Sequence, residues 1–211
     1  RAIDLGTGRT AKAITAGYPH TCALLDNDQV KCWGQGDFGQ LGQGNTNNIG
    51  DQPGQMGDHL NPIDLGTGRT AKHIAAGTYH TCALLDNNSV KCWGRGSFGQ
   101  LGQGNRNNIG RAAGQMGDNL NPIDLGTGRT AKHIAVGGSH TCALLDNNQV
   151  KCWGVGILGR LGQGNTNDIG TAPGQMGDHL NPINLGAGKT AKAIAAGAYH
   201  TCALLDNNQV K

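Results

Sequence analysis

Apolar positions along this chain come in short clusters set between glycine-rich polar stretches, and no cluster keeps a helical period over the length of an ordinary helix. Thr21 to Leu25 and Gln29 to Trp33 are runs rich in β-formers, separated by Asp26-Asn27-Asp28, whose side chains tolerate turn geometry. The pattern predicts a β-hairpin. With a three-residue turn, Leu25 faces Gln29, Leu24 faces Val30 and Cys22 faces Cys32 on one side of the sheet. A strand is expected before the hairpin over Ala11 to Ala16, where small residues around Ile14 suit a strand crowded against its equivalents. A fourth is expected to end near Ile63-Asp64-Leu65.

The hairpin motif, His20 to Gly34, returns from His80 and His140 at intervals of 60 residues, and a last copy starts at His200. The chain 1–211 therefore reads as one array, with repeats 1–60, 61–120, 121–180 and a partial repeat 181–211. Between hairpins lies a glycine-rich passage, Gly34 to Pro62, too long for an ordinary loop. Four short strands in each unit of this length predict an all-β fold, a β-propeller of four-stranded antiparallel blades with one blade per repeat, here partial or a fragment. The segment Ile3 to Leu5 is then expected to complete a blade with a carboxy-terminal set. That set belongs to the same chain, to a second copy joined head to tail, or to an adjoining chain fragment.

Composition sharpens this picture. Glycine accounts for 37 residues and aromatics for 4%, as suits many tight turns. The seven cysteines sort by repeat into Cys22 with Cys32, Cys82 with Cys92 and Cys142 with Cys152, leaving Cys202. Facing thiols predict one disulfide per complete repeat; zinc held by His20, Cys22 and Cys32 is the alternative, with fewer ligands than such sites carry. Paired cysteines favour an oxidising compartment, hence a secreted or cell-surface location. A net charge of +3 without a basic run argues against nucleic acid as partner, and no apolar run is long enough for a membrane span.

The motif His-Thr-Cys-Ala-Leu followed by Val-Lys-Cys-Trp-Gly-x-Gly-x-x-Gly-Gln-Leu-Gly resembles the repeat of the regulator of chromosome condensation family, in a bacterial, cysteine-bearing form. The resemblance covers the whole chain and implies a propeller, commonly of seven blades. Nucleotide exchange in that family depends on an inserted wedge, and the repeats here keep one length. A secreted member that inhibits β-lactamases supplies the precedent for recognition through a propeller face.

Candidate chemistry points away from catalysis. His20, His80, His140 and His200 occupy one place in every copy, whereas a catalytic centre needs a single asymmetric constellation. Gly-Thr-Gly-Arg-Thr lacks the lysine ending and following helix of a phosphate loop and reads as a turn. Asp51, Asp58, Asn45, Asn47 and Asn48 offer oxygens for calcium, yet Asp51 becomes Arg111 and Thr171 in later copies, so no cofactor is assigned.

Differences between the copies are more informative. They gather before the hairpin, at Tyr18, Tyr79 and Tyr199 and their neighbours, and after it at Gln35, Arg95 and Val155, at Asp37, Ser97 and Ile157, and at Asp51, Arg111 and Thr171. In a four-strand meander these loops emerge on one face. The expectation is a non-enzymatic extracellular module recognising a protein, or a glycan, through that face; a self-assembling scaffold or filament subunit is the alternative.

Overall fold

The computed structural model describes residues 2–211. Each complete repeat folds into one antiparallel sheet of three strands: β1 (Ala11–Ala16), β2 (His20–Leu25) and β3 (Val30–Gly34); β4 (Ala71–Ala76), β5 (His80–Leu85) and β6 (Val90–Gly94); β7 (Ala131–Val136), β8 (His140–Leu145) and β9 (Val150–Gly154). The last repeat contributes β10 (Ala191–Ala196) and β11 (Thr201–Leu205), with Leu204 bridging Val210. Cys22 lies opposite Cys32 and Leu24 opposite Val30, and the Leu25 amide donates to the Gln29 carbonyl at 2.8 Å. The turn closes this way because Asp28, Asn88, Asn148 and Asn208 enter the left-handed region at φ 66–67°, which short Asx side chains accept.

The architecture is an all-β solenoid of three-stranded repeats, not a closed propeller of four-stranded blades, and two expectations are corrected with it. First, no fourth strand forms at Ile63 to Leu65. Ile49 alone exchanges a pair of backbone bonds with Gly34, and Ile63 adds a single bond to the Val30 carbonyl at 2.8 Å. Between them the chain turns at Gly50, Gly54 and Gly57, all with φ between 68° and 93°, and Pro62 has no N–H to pair. Second, Ile3 to Leu5 forms no strand and completes no carboxy-terminal sheet. The Asp4 carbonyl accepts from the Gly57 amide and the Leu5 carbonyl from Lys31 Nζ, both within the first repeat, while Ile3 is 57% exposed.

Three apolar cores lie between successive repeats. Cys22, Leu24, Val30 and Cys32 of the first repeat pack against Ile74, Leu85 and Trp93 of the second, and Leu41, Leu120 and Met116 from the glycine-rich passages close the layer. The same arrangement recurs one repeat later around Ile134, Leu145 and Trp153. Ile14, the counterpart of the buried Ile74, Ile134 and Ile194, stands 73% exposed.

The structure bonds Cys22 to Cys32, Cys82 to Cys92 and Cys142 to Cys152, each buried, and leaves Cys202 free. Each bridge closes a loop of sequence separation 10, worth about 2–3 kcal/mol through the unfolded chain. The double variant Cys82→Ser, Cys92→Ser is expected to lose that much in urea unfolding while keeping its far-ultraviolet spectrum. An unchanged midpoint would show that the bridge does not constrain the unfolded chain.

Candidate functional site

Two ends of the sheets differ in chemistry. At the hairpin turns the copies are nearly invariant, and charges there are matched: Arg9 with Asp26 at 3.4 Å, Arg69 with Asp86 and Arg129 with Asp146 at 3.3 Å, and Lys12 with Asp28. The nearby Gly-Thr-Gly-Arg-Thr turn has its amide already taken, because Asp58 accepts from Thr7 N at 2.8 Å and Thr7 Oγ1 at 2.6 Å. Those bonds from Thr7 hold the Asp58 carboxyl below its ordinary range, and Thr67 and Thr127 do the same for Asp118 and Asp178. Asn45 and Asn48 oxygens accept from the Asn47 and Gly36 amides, so the candidate calcium oxygens serve the loop itself.

The repeated histidines are joints between repeats. His20 Nε2 meets Thr81 Oγ1 at 2.8 Å, His80 meets Thr141 at 3.0 Å and His140 meets Thr201 at 2.9 Å. Thr81 Oγ1 gives its proton to the Gln40 carbonyl, which also accepts Trp93 Nε1 at 3.1 Å. With its one hydrogen committed, the threonine oxygen accepts from Nε2, leaving Nδ1 as the unprotonated nitrogen. The Nδ1 atoms of His20, His80 and His140 are buried without a partner, and burial lowers these histidines to about 4, about 3 and about 4 respectively. They are neutral structural groups. Gly17, Gly77 and Gly137 make room for the rings: a Cβ on Gly77 would lie 2.5 Å from His80 Cε1.

At the other end of the sheets lie the positions that vary. The links before β2, β5 and β8 touch the segments after β3, β6 and β9: Gln35 N donates to Pro19 O, Arg95 N to Tyr79 O and Val155 N to Ser139 O. At the junction of repeats one and two, the Phe38 and Tyr79 rings meet edge-on with centroids 4.9 Å apart. The Arg95 guanidinium lies 5.2 Å from the Phe38 ring, 5.8 Å from Tyr79 and 5.3 Å from Phe98, and Arg95 Nε donates to Ser97 Oγ. Arg106 Nη1 donates to the Ser97 carbonyl at 2.7 Å. Arg111 follows directly, its amide beside Gly39 across the junction. At the junction of repeats three and four, Arg160 lies 5.1 Å from the Tyr199 ring, next to exposed Ile157 and Leu158.

The structure thus brings Tyr79, Arg95 and Ser97 together, sets the Arg111 backbone beside Gly39 of the same junction, and links Ile157 to Tyr199 through Arg160. It leaves Tyr18 exposed, lining a shallow depression with Thr78, Gly138 and Ala198, has Gln35 bonded to Asp37, buries Val155, and turns Thr171 Oγ1 onto Gln175. Asp51 is exposed on the glycine-rich passage of the first repeat. Sequence reasoning passed over Phe38, Phe98, Arg106 and Arg160. The signal was clear for two of them, since Arg106 and Arg160 differ from their counterparts in every other complete copy, whereas Phe38 and Phe98 match each other and differ only from Leu158.

Models of the regulator of chromosome condensation repeat match residues 11–40, 71–100, 131–163 and 191–211, and a second model of the same repeat matches 27–84 and 88–144. The chain belongs to this repeat family. Among relatives, the Arabidopsis thaliana ultraviolet-B receptor UVR8 is 33% identical over 96% of this chain and 41% of the receptor. The human probable E3 ubiquitin-protein ligase HERC4 is 31% identical over 92% of the chain and 16% of the ligase. Among solved structures, Saccharomyces cerevisiae Prp20p superimposes with a TM-score of 0.68 at 21% identity, covering 96% of this chain and 43% of Prp20p. The chain thus spans less than half the length of each.

These matches are to repeats of the regulator of chromosome condensation family, which are not catalytic, so the chain is a non-enzymatic repeat module. They also correct two expectations. The relatives are plant, human and yeast proteins, which overturns the bacterial assignment. They are nuclear or cytoplasmic, which overturns the secreted or cell-surface location drawn from the paired cysteines.

Proposed function

We propose that this module recognises a protein partner through the loop-bearing end of its sheets, at the junctions between repeats. One observation carries this reading: positions that differ between nearly identical copies come together there, and at the first junction they assemble aromatic rings around an arginine. Aromatic and arginine side chains held by their neighbours lose little entropy on binding and are the usual anchors of interfaces. Prp20p was described together with its binding to Gsp1p and histones, and yeast RCC1 was crystallised bound to Kap60, so protein recognition has precedent in the family. A Ran-like GTPase and core histones are the first partners to try. Tyr18, Gln35, Asp37, Asp51, Ile157, Thr171 and Tyr199 form the remainder of the proposed face, with the buried Val155 packed beneath it.

Capture of these proteins on the immobilised chain, read by surface plasmon resonance, tests the reading. Phe38→Ala and Tyr79→Ala are expected to weaken binding at least about tenfold, the size of an interface anchor. Asp86→Asn at the hairpin turn is expected to leave it within about twofold. The reverse pattern would move the site to the opposite end of the sheets.

A further inference from the structure

Among the three complete repeats only 61–120 carries a basic excess, while the partial repeat 181–211 holds Lys189, Lys192 and Lys211 against Asp206. Repeat 61–120 carries Arg69, Lys72, Lys91, Arg95, Arg106 and Arg111 against Asp64, Asp86 and Asp118, six against three, which gives +3, equal to the net charge of the whole chain. Arg69 is matched by Asp86, Lys72 donates to Asn88, and Lys91 Nζ is buried on the Leu65 and Gly117 carbonyls. The surplus is therefore Arg95, Arg106 and Arg111, whose counterparts are Gln35 and Val155, Thr46 and Thr166, and Asp51 and Thr171. Among the described residues no ion pair involves any of the three.

Their placement points to an anion. Arg95 Nε and Arg106 Nη1 both converge on Ser97, one on its hydroxyl and the other on its carbonyl, bringing two like charges to one residue. Like charges gathered on one residue repel, and a negative group beside them relieves that repulsion. Arg95 spends one donor on Ser97 and is fixed among three rings, so its terminal nitrogens remain for a bidentate acceptor.

Resting on the protein-recognition reading above, we propose that the junction of repeats one and two binds an acidic segment of the partner protein, with its carboxylates on Arg95, Arg106 and Arg111. Nucleic acid fits less well. A phosphate backbone demands a track of many basic contacts, whereas this patch holds three, and the adjoining repeat 1–60 is acidic, with six Asp against four Arg and Lys.

The test uses the full chain and three labelled ten-residue probes: a glutamate-rich peptide, its glutamine counterpart and an oligothymidine. Fluorescence anisotropy is expected to show binding of the glutamate peptide alone, weakening as salt rises. Arg106→Gln with Arg111→Gln, both on exposed side chains, is expected to weaken it about tenfold, and adding Arg95→Gln about a hundredfold, with Arg95→Lys recovering part. The control Lys12→Gln, Lys72→Gln, Lys132→Gln removes three charges at the opposite end and is expected to leave affinity within about threefold. Equal loss in both triple variants, tighter binding of oligothymidine, or no binding of the glutamate peptide would overturn the acidic assignment. Should the arginine variants still capture a protein partner that Tyr79→Ala does not, recognition stands and only the acidic assignment fails.

Discussion

Trp93→Ala is expected to cost about 3–5 kcal/mol of stability, and Trp153→Ala as much, while Trp33→Ala costs about 1–2 kcal/mol. The three residues are the same position in three copies, so only surroundings differ. Trp93 and Trp153 are fully buried and donate Nε1 to the Gln40 and Gln100 carbonyls of the preceding repeat at 3.1 Å. Removing either ring opens a cavity in a core shared by two repeats and strips one donor from a buried carbonyl. Trp33 is half-buried, and among the described residues its Nε1 donates to no carbonyl. Urea unfolding of the three variants reads the difference. Equal losses would show that the repeats are stabilised each within itself, against a solenoid held by its joints.

Acid sensitivity is the second large effect, and its sign follows from the buried histidines. Folding lowers their affinity for protons, so stability is full above the unfolded value near 6.5. Below it the unfolded chain takes up protons that the folded chain refuses, and stability falls until the folded values are reached, about 4 for His20 and His140 and about 3 for His80. Between pH 6.5 and 4.5 each histidine accounts for a loss on the order of 3 kcal/mol. The aspartates bonded to Thr7, Thr67 and Thr127 lose their contribution only at lower pH, as their depressed values are crossed. Melting temperature is therefore expected to fall steeply between pH 6.5 and 4.5. His80→Gln, whose amide still donates to Thr141, is expected to flatten that fall by about a third. Stability that stays level through this range would mean the histidine joints are solvated rather than buried.

Local features of the fold were legible in the sequence, and long-range ones were not. The register of Cys22 with Cys32 follows from a three-residue turn and needs no tertiary information. The fourth strand and ring closure failed because they depend on whether distant backbone finds a partner. In the passage from Gly50 to Pro62, glycines with positive φ and a proline remove the pairing that length alone suggested. The His20–Thr81 joint spans 61 residues, so the sequence exposed the histidines as repeated but not what they touch. At the candidate site, comparison of copies found Tyr79, Arg95, Ser97 and Arg111. It passed over Phe38, whose copy Phe98 is identical and so gave no contrast between the first two repeats. The compartment was misread because cysteine pairing was weighed without kinship.

Recognition at the junction loops is tested most directly by hydrogen–deuterium exchange of the chain alone and with a Ran-like GTPase or core histones bound. The expected result is new protection in 35–39, 78–79, 95–98 and 106–111, the segments that carry the ring cluster and the three arginines. Protection confined to the hairpin turns at 26–28, 86–88 and 146–148 would contradict it.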